Sequence, residues 1–176
     1  MAAALRQWGW HELHPEWARR LVAAASISAG DLVLDIGAGN GALITPLLAA
    51  GAQVIAVELH PERARHLRTK FGSQVTVVRQ DARDLRLPTR SFAVVASVPY
   101  AVTSPLLRRL TQPGSRLTSA HLIVQSQAAV RWASPSAPAA SRWSRTFRAS
   151  VGPVVPRRAF SPPPRVPSRV LVIQRW

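Results

Sequence analysis

The chain has 176 residues, a formal charge of +15 and no cysteine, so a disulfide frame, a thiolate zinc site and a cysteine nucleophile are excluded. Twenty-two of its 23 cations are arginine, and all eight acids lie at or before Asp84, which leaves residues 85–176 with fourteen arginines and no acid. This sided charge favours a polyanion partner, most simply nucleic acid, and no apolar run approaches the ~20 residues of a membrane span.

Residues 1–15 read as an N-terminal arm that mixes Trp, His, Glu and Arg. It lacks the apolar core of a signal peptide, so a soluble cytoplasmic protein is expected. Residues 16–29 have the spacing of an amphipathic helix closed by Gly30. Val33–Ile36 is a short apolar run, read as a buried strand, and the glycine turn Gly37-Ala-Gly-Asn-Gly41 follows it. A helix is predicted from Ala42 to Ala50, then a second buried strand at Val54–Glu58. Pro61 opens the next helix, where its missing N–H is harmless, and that helix runs to Phe71. Strands follow at Val75–Val78, Phe92–Ala96 and Ala120–Val124, with residues 103–111 helical. Residues 134–146 are small, polar and proline-containing and read as a flexible loop. Two late strands, near Ala149–Val155 and Arg169–Gln174, close the sheet.

Strands that alternate with helices imply crossovers, hence an α/β domain over residues 16–176 with a doubly wound, mostly parallel sheet. In such sheets ligands bind at the carboxyl ends of the strands. Three acids fall there. Asp35 ends the first strand, just before Gly37 and Gly39. Glu58 ends the second strand, 23 residues further on, where a carboxylate can accept both hydroxyls of a ribose. Asp81, followed by Ala82, comes after the third strand and can accept from an adenine amino group. A tight strand–helix turn, with Asp81 and Asp84 as caps, is the plainer reading of the same residues. Glycine turn, ribose acid and adenine acid describe a nucleoside cofactor without separating a nicotinamide from S-adenosylmethionine.

The fourth strand runs into Ser97-Val98-Pro99-Tyr100, a loop of the form (Asp/Asn/Ser)-x-Pro-aromatic characteristic of amino-group methyltransferases. The adenine amino nitrogen is a poor nucleophile because its lone pair is delocalised into the ring. A side-chain oxygen at Ser97 and the backbone carbonyl of Val98 would grip its two N–H bonds and localise that pair. Pro99 stiffens the turn, and Tyr100 offers a stacking face to an extruded base. Catalysis is then mainly orientation, with no metal and no general base required.

On these motifs the chain resembles the ribosomal RNA adenine N6-dimethyltransferases of the Erm macrolide-resistance type. The resemblance covers nearly the whole chain: Asp35–Gly41, Val57-Glu58, Gln80-Asp-Ala82, Ser97–Tyr100, Ile123-Val-Gln125 and, most specifically, the segment 156–168, which is similar to the family's P-R-x-x-F-x-P-x-P-x-V-x-S. It implies a class I, Rossmann-like methyltransferase that uses S-adenosylmethionine on one adenine of large-subunit (23S) ribosomal RNA, with resistance to macrolides, lincosamides and streptogramin B as the outcome. Methylation of small-subunit rRNA is the neighbouring alternative, and a weakened RNA-binding homologue a further one. Phe160 becomes the second aromatic around the flipped adenine, opposite Tyr100. The family's Gln-Asn-Phe-Leu cofactor motif corresponds to Trp10-His11-Glu12-Leu13, which places His11 and Leu13 at the cofactor. From the residues alone, His11 reads equally well as an ordinary hydrogen-bonded histidine, and Trp8 and Trp10 as packing or as a cover for cofactor or RNA. Ser97 stands where close relatives have Asn, and Pro167 where Asp or Asn is usual. The stop at Trp176 and the Trp-Gly-Trp-His start resemble the short mycobacterial-type Erm proteins, so no separate C-terminal helical domain is expected.

RNA affinity would then rest on arginine. The candidates are Arg108, Arg109, Arg131, Arg142, Arg145, Arg148, Arg157, Arg158 and Arg165, whose guanidinium forks match phosphate geometry. Trp143, between Arg142 and Arg145, is expected to order on RNA by stacking. A monomer acting on ribosomal RNA before full assembly, without membrane or metal, completes the expectation.

Overall fold

A computed structural model describes residues 10–176. In chain order its elements are β1 (Glu12–Leu13), α1 (Pro15–Ala24), β2 (Leu32–Ile36), α2 (Ile44–Ala49), β3 (Gln53–Val57), α3 (Pro61–Phe71), β4 (Val75–Val78) and β5 (Phe92–Ser97). There follow α4 (Thr103–Leu110), β6 (Leu117–Gln125), α5 (Ser126–Trp132), α6 (Ala140–Trp143), β7 (Phe147–Val155), β8 (Phe160–Ser161) and β9 (Ser168–Arg175).

Seven strands form one sheet in the order β4-β3-β2-β5-β6-β9-β7. The first five are parallel, and β9 and β7 close the sheet antiparallel. Alternate side chains of the central strands feed two cores. Val33, Ala93 and Val95 pack with Leu21, Leu47 and Leu67 of α1, α2 and α3 on one face. Leu34, Val94 and Ala96 pack with Leu107, Trp132 and Trp143 of α4, α5 and α6 on the other. Period-two alternation of wholly apolar strands is what a sheet covered on both faces requires. The strand order reverses between β2 and β5, and that reversal sets the place of the site.

Three local expectations change. Helix α1 ends at Ala24 instead of running to Ala29, because Ser26 turns left-handed (φ 51°) and sends Ile27 back against the core. The segment 134–146 contains the short helix α6, and Trp143 is buried there, stacked on Trp132 at 6.0 Å between ring centroids. Its Nε1–H donates to the Pro138 carbonyl. Trp143 is therefore core in this structure and not a free stacking surface for RNA. Finally, part of the arm is a strand: β1 pairs antiparallel with β8, Leu13 opposite Phe160. Trp8 lies outside the described residues. No helix among the described residues is long and apolar enough to cross a membrane.

Candidate active site

At the reversal point the ends of β2 and β5 lie side by side. Gly37 has φ +77°, and a Cβ there would stand 3.1 Å from Pro99 Cδ. The glycine turn after β2 is thus packed directly against the Ser97–Tyr100 turn after β5. The Gly37 N–H donates to the Val57 carbonyl at 2.8 Å, which draws in β3 as well. Three strand ends converge because the parallel register holds them level: Ile36 pairs with Val57, and Leu34 with Val94.

Glu58 locks this junction. Its Oε2 accepts the Gly39 N–H at 2.8 Å and its Oε1 accepts the His60 N–H at 2.8 Å. The Arg63 guanidinium stands 4.0 Å from the same carboxylate and lies over the Trp10 ring at 4.5 Å. One Arg63 nitrogen, Nη2, is buried without a hydrogen-bond partner. Trp10 in turn rests on the glycine turn: a Cβ on Gly39 would meet its Nε1 at 2.6 Å. Arg63 carries no motif, and its place beside Glu58 and Trp10 follows only from the start of α3.

Asp35 is 1% exposed, and its Oδ2 has no hydrogen-bond partner. Burial, with the neighbouring Glu58 charge adding to it, pushes its carboxyl up to about 8. A buried polar atom left unsatisfied is what an incoming ligand can complete. Asp81 behaves differently. The Arg83 side chain and backbone N–H both donate to it, and these bonds hold its carboxyl below the usual carboxylate range. It caps the 3-10 turn Ala82–Asp84 while facing the groove.

Two adjoining hollows gather the predicted residues. The inner one is lined by His11, Leu13, Asp35, Gly37, Gly39, Ser97, Val98, Pro99, Tyr100 and Phe160. The outer groove, about 480 Å³, is lined by Glu58, Asp81, Ala82, Pro99 and Tyr100 among others. Trp10 borders both. The Tyr100 hydroxyl shares a 2.8 Å hydrogen bond with Ser168 Oγ, a contact the sequence did not signal. The His11 ring centroid lies 6.2 Å from that of Tyr100 and 6.5 Å from that of Phe160. Phe160 is 3% exposed, covered in this conformation by the β1 arm.

The arginines divide. Arg108, Arg131, Arg142, Arg145, Arg158 and Arg165 are exposed. Three others are tied to the fold: Arg109 donates to the Leu85 carbonyl, Arg157 to the Pro164 carbonyl, and Arg148 to Gln174. Arg148 and Arg157 are exposed as well, so their guanidiniums brace a side-chain amide and a loop carbonyl at the surface.

Comparison with known proteins gives a consistent picture. The family model described as "Ribosomal RNA adenine dimethylase" matches residues 12–175. The chain is 36% identical over 190 residues to "Ribosomal RNA small subunit methyltransferase A" of Anaeromyxobacter dehalogenans, a match covering 96% of this chain and 66% of that protein. It is 36% identical over 160 residues to the "Mycinamicin-resistance protein MyrB" of Micromonospora griseorubida, covering 89% of this chain and 50% of that one. Among solved structures it is similar to that of "23S rRNA methyltransferase ErmE", with TM-score 0.80 and 26% identity over 93% of this chain and 69% of that one. The chain thus spans between half and about two thirds of the length of these relatives.

Proposed function

The chain belongs to the ribosomal RNA adenine dimethylase family, and from that premise we propose that it methylates the N6 amine of one adenine in large-subunit ribosomal RNA, using S-adenosylmethionine. The observation that carries this reading is the packing of the Ser97–Tyr100 turn onto the glycine turn, with Gly37 and Pro99 in contact. A turn whose chemistry suits an amine beside one whose chemistry suits a nucleoside supports the reading.

The residues fit the cofactor on the chemistry they present. Glu58 and Asp81 both offer carboxylates to the outer groove, and Asp35 offers the inner hollow a buried carboxyl oxygen without a hydrogen-bond partner. When bound, S-adenosylmethionine supplies a methyl group on a cationic sulfur. The chain's own work is orientation. Ser97 Oγ and the Val98 carbonyl accept the amine N–H bonds, and Pro99 fixes the turn that aims them. Tyr100, braced by Ser168, stacks on the base. A bimolecular encounter becomes an aligned one, which is the larger part of the rate such a site can supply.

Large-subunit RNA, with macrolide resistance as its outcome, is the first reading. The likeness to the 23S enzyme's structure and to the mycinamicin-resistance protein supports it. Small-subunit RNA is the second, favoured by identities of 36–38% to small-subunit methyltransferases. Expression in a macrolide-susceptible host separates the two. The first predicts growth in erythromycin that is lost on Tyr100→Ala, and the second predicts no change in tolerance.

A further inference from the structure

We propose that Arg169 binds a backbone phosphate of the rRNA strand beside the target adenine, and so sets that strand against Tyr100. The inference rests on the proposed rRNA methylation for its partner. It starts from a contrast among the fourteen arginines of residues 85–176. All of them are exposed except Arg109 and Arg169. Arg109 is held by the Leu85 carbonyl. Arg169 has no hydrogen bond or ion pair to any described residue, and its Nε is buried without a partner. Only Nε is enclosed in this way, so the two terminal nitrogens face solvent.

Strand pairing explains how the side chain is held. Arg169 lies in register between Val124 of β6 and Val154 of β7. Val124 is fully buried and Val154 half-exposed, so an apolar bed carries the stem from core to surface. A stem fixed in advance loses little freedom when its fork meets a ligand. The fold itself gains nothing from this charge, because a buried guanidinium nitrogen without an acceptor is destabilising. No carboxylate of the chain answers it: the three ion pairs among the described residues use Arg20, Arg63 and Arg83. A planar fork with no internal acceptor, in a half of the chain without acids, suits a phosphate. Its neighbour gives the place. Ser168 shares its hydroxyl with Tyr100 and lies opposite Gln125, at the end of β6. Successive side chains of a strand face opposite sides, so Arg169 stands at the same rim of the sheet on the other face. An RNA strand that stacks its base on Tyr100 and crosses this rim brings a phosphate to the fork.

Binding over a range of salt tests it. Protein-free large- and small-subunit rRNA are titrated with wild type, Arg169→Met and Arg169→Lys, and the melting temperature of each protein alone is recorded. Arg169→Met keeps an apolar stem and removes the fork. It should weaken binding by about tenfold and make the slope of log affinity against log salt shallower by about one. Both RNAs should respond alike, because phosphate carries no sequence. Arg169→Lys keeps the charge and should restore the slope. The melting temperature of Arg169→Met should be unchanged or raised. An unchanged slope, a slope that Arg169→Lys fails to restore, or no binding of either rRNA by wild type would each overturn the proposal. A lowered melting temperature with an unchanged slope would assign Arg169 to the fold instead. Binding needs no turnover, so a wild type that binds rRNA without methylating it contradicts the proposed function alone.

Discussion

Glu58 Oε2 accepts the backbone N–H of Gly39 at 2.8 Å in a buried setting. One carboxylate at the end of β3 therefore fixes the turn after β2, before any ribose is present. Glu58→Ala removes that acceptor and leaves the Gly39 N–H buried and unpaired, which costs about 1–3 kcal/mol. A lowered melting temperature together with at least tenfold weaker S-adenosylhomocysteine binding is expected. Calorimetry and equilibrium binding check both.

Gly39 has φ +57°, and Trp10 Nε1 stands where its Cβ would be. Gly39→Ala is strained by about 1 kcal/mol in that conformation, and it also displaces the indole. Cofactor affinity should fall more than stability does. Tryptophan fluorescence should also respond less to S-adenosylhomocysteine in the variant than in wild type.

Asp35 makes a pH prediction. Its folded carboxyl titrates near 8, against 3.8 for the ordinary group. The folded state holds this proton more tightly, so its contribution is full below about pH 4. It is lost as pH rises through 8. Asp35→Asn carries no such proton. Wild type should therefore lose stability relative to Asp35→Asn as pH rises from about 4 to 8 in urea titrations, and the difference should level off above 8. Parallel curves would contradict the burial argument.

The segment 134–146 separates core from charge. Trp143→Ala removes a buried ring stacked on Trp132 and should cost about 3–5 kcal/mol. Arg142→Ala with Arg145→Ala removes two exposed cations, which should leave the melting temperature unchanged. The slope of log affinity for rRNA against log salt should become shallower by about two. An unaltered slope would remove these residues from the RNA surface.

Much of this arrangement is legible in the sequence. Pro61, Gly37 and the five apolar runs fix the parallel part of the sheet, because punctuation and strand length are local signals. The acids at strand ends are legible for the same reason. The pairings that complete the site are not. Tyr100 meets Ser168 across 68 positions, and His11 meets Pro162 across 151. Neither has a periodic signature. Strand β1 is two residues long, too short for alternation to show. Trp143 misleads because it sits among serines and prolines, while its burial comes from Trp132, eleven positions earlier. Arg109 and Arg157 look like free cations in sequence, and only tertiary contact shows which carbonyls they hold.

The measurement that bears most directly on the central claim is methyl transfer with mapping of the modified base. Purified chain, radiolabelled S-adenosylmethionine and separated protein-free large- and small-subunit rRNA are combined. Wild type and Ser97→Asn run side by side, with primer extension to locate the modification. The account predicts label in large-subunit RNA and a stop at a single adenine, with Ser97→Asn at least as active because its amide oxygen reaches further. Label confined to small-subunit RNA would contradict the choice of substrate, and no label from either protein would contradict the proposed chemistry itself.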